Sequence, residues 1–152
     1  MAAAPRRADP TADGTSMPTP VPRTARLRVL VVEDDALQAR LLCRVLERLG
    51  YEPVGPAGSL EDALSYAHVA PLDLGILDLN LRDRSSLPVA EALRDRQVPF
   101  LFLTGYGSGE VPVGLGKIPR LGKPVEPARL ASALTLLCRA RDASADPTPS
   151  SR

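Results

Sequence analysis

The chain has 152 residues and a formal net charge of +1, so it has the size of one domain with a proper core and no bulk electrostatic pull toward nucleic acid or an anionic membrane. Aromatic residues make up only 3% and Trp is absent, which speaks against stacking platforms for single-stranded nucleic acid. The longest apolar runs are strand-length and too short to span a membrane as a helix.

Residues 1–25 are rich in Pro, Ala, Thr and Gly without periodicity and are expected to form a disordered leader, with a similar tail over 140–152. Arg6 and Arg7 are not followed by an apolar segment, so a secretory signal is not supported. Asp9 and Asp13 speak against a transit peptide. Cys43 and Cys138 lie far apart with no metal-type spacing and read as two packed thiols of a cytoplasmic protein.

Between the tails, elements alternate. LRVLVV (27–32) is a continuous β-branched and Leu run, as in a strand buried on both faces. Leu37, Leu41, Leu42, Val45, Leu46 and Leu49 follow at helical spacing, are read as core, and end at Gly50. YEPVGPA (51–57) gives a short second strand, and Ser59 is placed to cap a helix running through Tyr66. LGILD (74–78) is the third strand. Ser85 or Ser86 with Pro88 opens a third helix through Asp95. VPFLFL (98–103) is the fourth strand. GYGSGEVPVGLG (105–116) is dense in Gly and Val and holds a Pro, so a fourth helix there is shortened or absent. KIPRL (117–121) is a short fifth strand, and Pro127 opens a last helix with Leu130, Ala133, Leu134 and Leu137 on one face.

Strands alternating with helices predict an α/β fold with a parallel sheet covered on both sides. Such sheets bind ligands beyond the carboxyl ends of their strands. Glu33, Asp34 and Asp35 follow the first strand, Asp78 ends the third with Asn80 two residues on, Thr104 ends the fourth, and Lys123 and Pro124 follow the fifth. Clustered carboxylates repel unless a cation sits among them, and their oxygens suit Mg²⁺. Asp78 is the candidate nucleophile for an acyl phosphate. Lys123 and Thr104 would add a charge and a hydroxyl for the transferring phosphoryl oxygens.

VLVVEDD, ILDLNL, FLTG and LGKP, in this order, resemble the receiver domain of two-component response regulators over roughly residues 26–139. The resemblance implies a flavodoxin-like, doubly wound five-stranded parallel sheet of order 2-1-3-4-5. By position, Asp78 matches the phosphoacceptor. Glu33 and Asp34 match the acidic pair, with Asp34 the direct Mg²⁺ ligand, and Asp35 is left as a helix N-cap. Asn80 matches the residue whose backbone carbonyl binds the metal, Thr104 the hydroxyl that binds the phosphoryl group, and Lys123 the family's lysine. The Lys123–Pro124 bond is expected to be cis.

Three departures stand out. The turn after Asp78, which usually carries Pro and later Gly, holds Arg82, Asp83, Arg84, Ser85 and Ser86. Arg120 occupies the place of the aromatic switch residue, and an Arg does not bury in the same way. The Gly-rich stretch replaces the fourth helix and is expected to be mobile. With PFLFLTGYG, this resembles a subgroup of single-domain receivers with an F-A-T-G-like motif from alphaproteobacterial stress signalling.

The expected function is that of a single-domain response regulator with no output domain. It would take a phosphoryl group from a histidine kinase or phosphotransfer protein, and signal to an unidentified downstream protein without nucleic acid or membrane partners. It would be a phosphoacceptor with at most slow self-dephosphorylation rather than an enzyme. One alternative is a receiver-fold binding module that works without phosphorylation. Another is a haloacid-dehalogenase-type phosphatase, which needs an acid where Asn80 stands. His68, the one histidine, reads as a residue at a helix end with a surface or partly buried role rather than a phosphotransfer group.

Overall fold

The computed structural model describes residues 26–82, 84–105 and 117–145. The expected leader, residues 106–116 with the question of the fourth helix, and residues 146–152 lie outside the described residues. In chain order the elements are β1 (Arg28–Val32), α1 (Ala36–Arg48), β2 (Glu52–Ala57), α2 (Leu60–Val69), β3 (Leu74–Asp78), β4 (Asn80–Leu81), β5 (Arg84–Ser85), α3 (Leu87–Asp95), β6 (Phe100–Thr104), β7 (Arg120–Gly122) and α4 (Pro127–Ala145). The main sheet has five strands in the order β2-β1-β3-β6-β7, all parallel. This is the expected order 2-1-3-4-5, with β6 and β7 as fourth and fifth strands.

Side chains alternate across each strand, and the two faces build two cores. Val29, Val31, Leu74, Ile76, Leu101 and Leu103 pack toward α1 and α4. Leu30, Val32, Leu77, Phe100 and Phe102 pack toward α2 and α3. Each fully buried Leu, Ile or Phe stabilises the fold by about 1.5–3 kcal/mol, which outweighs the weak intrinsic preferences of such short strands. Gly75 lets β3 approach its neighbours: a Cβ there would lie 2.7 Å from Leu93 Cδ1 and 3.1 Å from Phe100 Cβ.

The helix ends follow local chemistry. Asp35 caps α1 by accepting from Gln38 N at 2.8 Å, and Ser59 caps α2 by accepting from Asp62 N at 3.1 Å. Gly50, at φ +92°, closes α1 with bonds from Gly50 N to Glu47 O and from Tyr51 N to Leu46 O. α3 ends the same way on Gln97, at φ +58°, with Gln97 N on Arg94 O and Val98 N on Leu93 O. Ser86 holds the N-cap position of α3 but donates its hydroxyl to Leu79 O, while Ser85 Oγ accepts from Leu87 N.

Four expectations need correction. The α1 leucines are not all core: Leu37 and Leu41 are 66% and 52% exposed, and Leu49 is exposed too. The buried line runs through Ala39, Leu42 and Leu46 at spacings of three and four, so residues 37 and 41 fall to its side. α2 continues past Tyr66 to Val69. The fifth strand lies at Arg120–Gly122 rather than 117–121, set by pairing of Leu103 with Leu121. α4 runs to Ala145, beyond the expected domain edge at 139, and Arg141 holds its end to Asp73 at 2.7 Å.

Candidate functional site

The carboxyl ends of β1, β3, β6 and β7 meet at one edge, and the parallel register dictates what they present. Asp78 lies opposite Leu103, and Thr104 opposite Gly122, one residue before Lys123. Lys123 N donates to Thr104 O at 2.9 Å, which carries the chain from β7 back over the site, and the Lys123–Pro124 bond is cis.

Glu33 and Asp78 are buried, at 3% and 6% exposure, and would be costly as isolated charges. Lys123 Nζ sits between them, 2.7 Å from Glu33 Oε2 and 2.7 Å from Asp78 Oδ2. Glu33 Oε1 accepts from Asp35 N at 3.1 Å, and Asp78 Oδ1 from Asn80 N at 3.2 Å. Asp34, half-buried, accepts from Arg82 N at 2.8 Å. Burial pushes the Glu33 carboxyl above its usual range, helped by the Asp78 charge and opposed by the bonds to Lys123 and Asp35 N. Burial pulls the Lys123 ammonium down, but its bonds to Asp78 and Glu33 and their charges outweigh this and leave it above the usual lysine value.

Oxygens of Glu33, Asp34 and Asp78 lie within 4.8 Å of one another. Three carboxylates face one ammonium, so the cluster keeps an excess of negative charge. An all-oxygen, carboxylate-rich donor set of this kind suits a hard divalent cation. The residues present therefore fit a metal of that class.

Every site residue expected from the sequence is at this edge, and their functions differ in how much the contacts say. Glu33, Asp34, Asp78 and Lys123 form one connected cluster. Asn80 is exposed, and its backbone N–H donates to Asp78. Thr104 is half-buried and donates a long bond, 3.5 Å, to Leu121 O. Arg120 is exposed on β7. Beside Glu33 and Lys123 a cavity of about 520 Å³ opens between α1 and α4, walled by Leu41, Leu42, Val45, Val125 and Leu130.

The site also holds a feature that residue types did not announce. After Asp78 the chain forms an antiparallel hairpin, β4 against β5, with Asn80 opposite Ser85 and Leu81 opposite Arg84. Arg82 turns at φ +44°, a left-handed conformation that costs a non-Gly residue about 1–2 kcal/mol. The hairpin is braced on α2 by an ion pair between Arg84 and Glu61. Burial signals and turn residues do not reveal a backbone donor of this kind.

A family description of the response regulator receiver domain matches residues 29–135. The chain belongs to this family. Among curated relatives, the acid tolerance regulatory protein ActR of Rhizobium meliloti is 34% identical over 111 residues, covering 70% of this chain and 57% of ActR. The transcriptional regulatory protein PdtaR of Mycobacterium tuberculosis is 32% identical over 85 residues, covering 55% of this chain and 42% of PdtaR. The chain thus spans about half the length of the curated relatives it matches. Among solved structures, SdrG from Sphingomonas melonis Fr1 is 39% identical with a TM-score of 0.68, covering 75% of this chain and 98% of SdrG. The receiver fold and the receiver identity are therefore both established, and the acidic edge lies inside the matched region.

Proposed function

We propose that the protein takes a phosphoryl group onto Asp78 from a histidine kinase or a phosphotransfer protein, with Mg²⁺ held by Glu33, Asp34, Asp78 and the Asn80 carbonyl. The observation that carries this reading is the Lys123 ammonium bonded at 2.7 Å to both Glu33 and Asp78, with Asp34 completing an oxygen cluster within 4.8 Å. If bound there, Mg²⁺ would draw on this all-oxygen, carboxylate-rich set, which suits a hard divalent cation. When bound, the metal supplies positive charge to neutralise the carboxylates and the phosphoryl oxygens.

The chain's own residues do the rest. An Asp78 oxygen attacks phosphorus, the bond from phosphorus to the donor atom breaks, and the donor leaves with the electron pair of that bond. Lys123 moves from pairing with the carboxylate to pairing with the phosphoryl oxygens. Thr104 exchanges its long bond to Leu121 O for one to the phosphoryl group, which shifts the β6 end between two states. Asn80 stands where a phosphatase of the haloacid-dehalogenase type needs an acid, and an amide cannot supply that proton. The aspartyl phosphate therefore persists, and the protein is a phosphoacceptor with slow self-dephosphorylation rather than a turnover enzyme.

The reading extends to a cytoplasmic, single-domain regulator that signals by protein contact. Among the described residues no helix is long and apolar enough to cross a membrane. The resemblance of PFLFLTGYG to the F-A-T-G-like motif supports a relation to that subgroup of receivers.

The test is uptake of label from acetyl phosphate, a histidine kinase or a phosphotransfer protein. Wild type is expected to take acid-stable, base-labile label only with Mg²⁺, and Asp78→Asn none. Equal labelling of the variant overturns the site. A wild type that takes no label from any donor favours a receiver that works without phosphorylation.

A further inference from the structure

The cavity beside Lys123 differs in kind from the acidic edge that it borders. Its volume of about 520 Å³ falls in the range of small-molecule sites and exceeds that of apolar cavities that hold a benzene ring. Its walls are apolar. Leu42, Leu103 and Leu130 are buried, Val45 and Val125 are half-buried, and Leu41 stands 52% exposed at its side. Polar side chains enter the lining at Glu33, Gln38 and Lys123. Water gains little in such a space, because most of the wall offers it no hydrogen bond.

The charge at the polar end decides what fits. Lys123 Nζ engages Glu33 Oε2 and Asp78 Oδ2, both at 2.7 Å. An ammonium has three N–H groups, so among the described residues one is left over. An anionic head would meet Glu33, with Asp34 and Asp78 in the same cluster. A cationic head would meet the Lys123 ammonium. A neutral acceptor, such as a hydroxyl or carbonyl oxygen, meets neither penalty and takes the remaining N–H, and the Gln38 amide lines the same space.

We propose that this cavity is a binding site for a small uncharged amphipathic molecule, with an aliphatic or aromatic body against the leucine and valine walls and a hydrogen-bond-accepting oxygen at Lys123. Lys123 belongs to both the cavity and the acidic cluster. A ligand bonded to it holds the ammonium on the carboxylates, whereas phosphoryl uptake needs that ammonium to turn to the phosphoryl oxygens. Occupancy therefore slows uptake. This effect on uptake rests on the phosphoacceptor reading above, and the binding itself does not.

Three probes with one body separate the head groups: phenylbutanol, phenylbutyrate and phenylbutylamine at neutral pH. Each is titrated into the full chain and followed by methyl NMR signals. The alcohol is expected to shift Leu42, Val45, Val125 and Leu130, and to leave Leu30 and Val32 in place on the other face of the sheet. It is expected to bind about tenfold or more tightly than the acid or the amine. Val45→Phe fills the cavity and is expected to abolish binding, with a thermal melt reporting folding. Leu37→Ser, at an exposed position outside the lining, is expected to bind as wild type does. The wild-type shift pattern stands even if Val45→Phe fails to fold. Saturating alcohol is expected to slow uptake from acetyl phosphate by about fivefold or more in wild type, and to leave the rate of folded Val45→Phe unchanged.

No cavity shifts with the alcohol, or shifts spread equally to Leu30 and Val32, overturn the site. Equal binding of the three probes overturns the uncharged class. Cavity binding with unaltered uptake overturns the effect on uptake alone. A wild type that takes no label without ligand overturns the phosphoacceptor reading, and the binding result still decides the site.

Discussion

One strand, β3, is bounded by two aspartates in opposite settings. Asp73, just before it, accepts from Arg28 N at 2.8 Å on one oxygen and pairs with Arg141 at 2.7 Å on the other. Each oxygen has its own donor, no second carboxylate is among its partners, and its contacts tie β1 and α4 to the amino edge of the sheet. Asp78, its last residue, is more deeply buried, shares its lysine with Glu33, and stands in a cluster of three carboxylates. The first aspartate is satisfied and therefore structural. The second is held with negative charge to spare, an arrangement that suits a divalent cation. The same residue type at two ends of one strand is assigned by what surrounds it.

The largest expected effect is at Lys123. Lys123→Met removes the ammonium that bridges Glu33 and Asp78 and is expected to lower phosphoryl uptake by about a hundredfold or more. Uptake rates from acetyl phosphate, set beside Asp73→Asn with wild-type rates, would show the two ends to be as different as their contacts. Similar losses in both variants would erase the contrast.

At the other end, Asp73→Ala is expected to destabilise the fold by about 1–2 kcal/mol, since it strands Arg28 N and frees Arg141 at a partly exposed site. Urea midpoints measure this, with Mg²⁺ affinity unchanged. A stable Asp73→Ala protein with weakened metal binding would mean that the amino edge also supports the site.

The acid–base behaviour sharpens the same contrast. The folded-state pKa of Glu33 is raised, chiefly by burial. A raised value means that the folded protein holds this proton more tightly than the unfolded chain. Its contribution to stability is thus fully present below the unfolded value of 4.5 and is lost as pH rises through the folded pKa. In metal-free protein, the melting temperature of Glu33→Gln relative to wild type is expected to rise across that window. A difference that is flat, or that falls with pH, would contradict the assignment.

The smallest effect concerns the two non-glycine residues at positive φ among the described residues. Gln97 closes α3 at the amino edge, and Arg82 turns the hairpin at the carboxyl edge. Gln97→Gly is expected to stabilise by up to about 1 kcal/mol, read from thermal melts, with no effect on phosphoryl uptake.

Much of this was legible in the sequence, for physical reasons. Parallel strands buried on both faces show as unbroken apolar runs, so β1, β3 and β6 were plain, and their carboxyl ends placed Asp34, Asp78 and Thr104 at one edge. Caps at Asp35 and Ser59 followed from side-chain chemistry. β7 was misplaced because KIPRL has no internal signal for its register, which is set by β6. Leu37 and Leu41 looked like core because helical spacing marks an apolar face but not how much of it a neighbour covers. The hairpin was missed because its bonds come from the backbone, and residues 82–85 carry no Gly or Pro to announce a turn.

The most direct measurement is the position of the phosphoryl group itself. After labelling with Mg²⁺ and a phosphodonor, borohydride reduces an aspartyl phosphate to homoserine, and peptide mass spectrometry reads where. The account predicts conversion at Asp78 and at no other carboxylate. Conversion at Asp34 or Glu33 instead, or label on the protein with Asp78 intact, would contradict it.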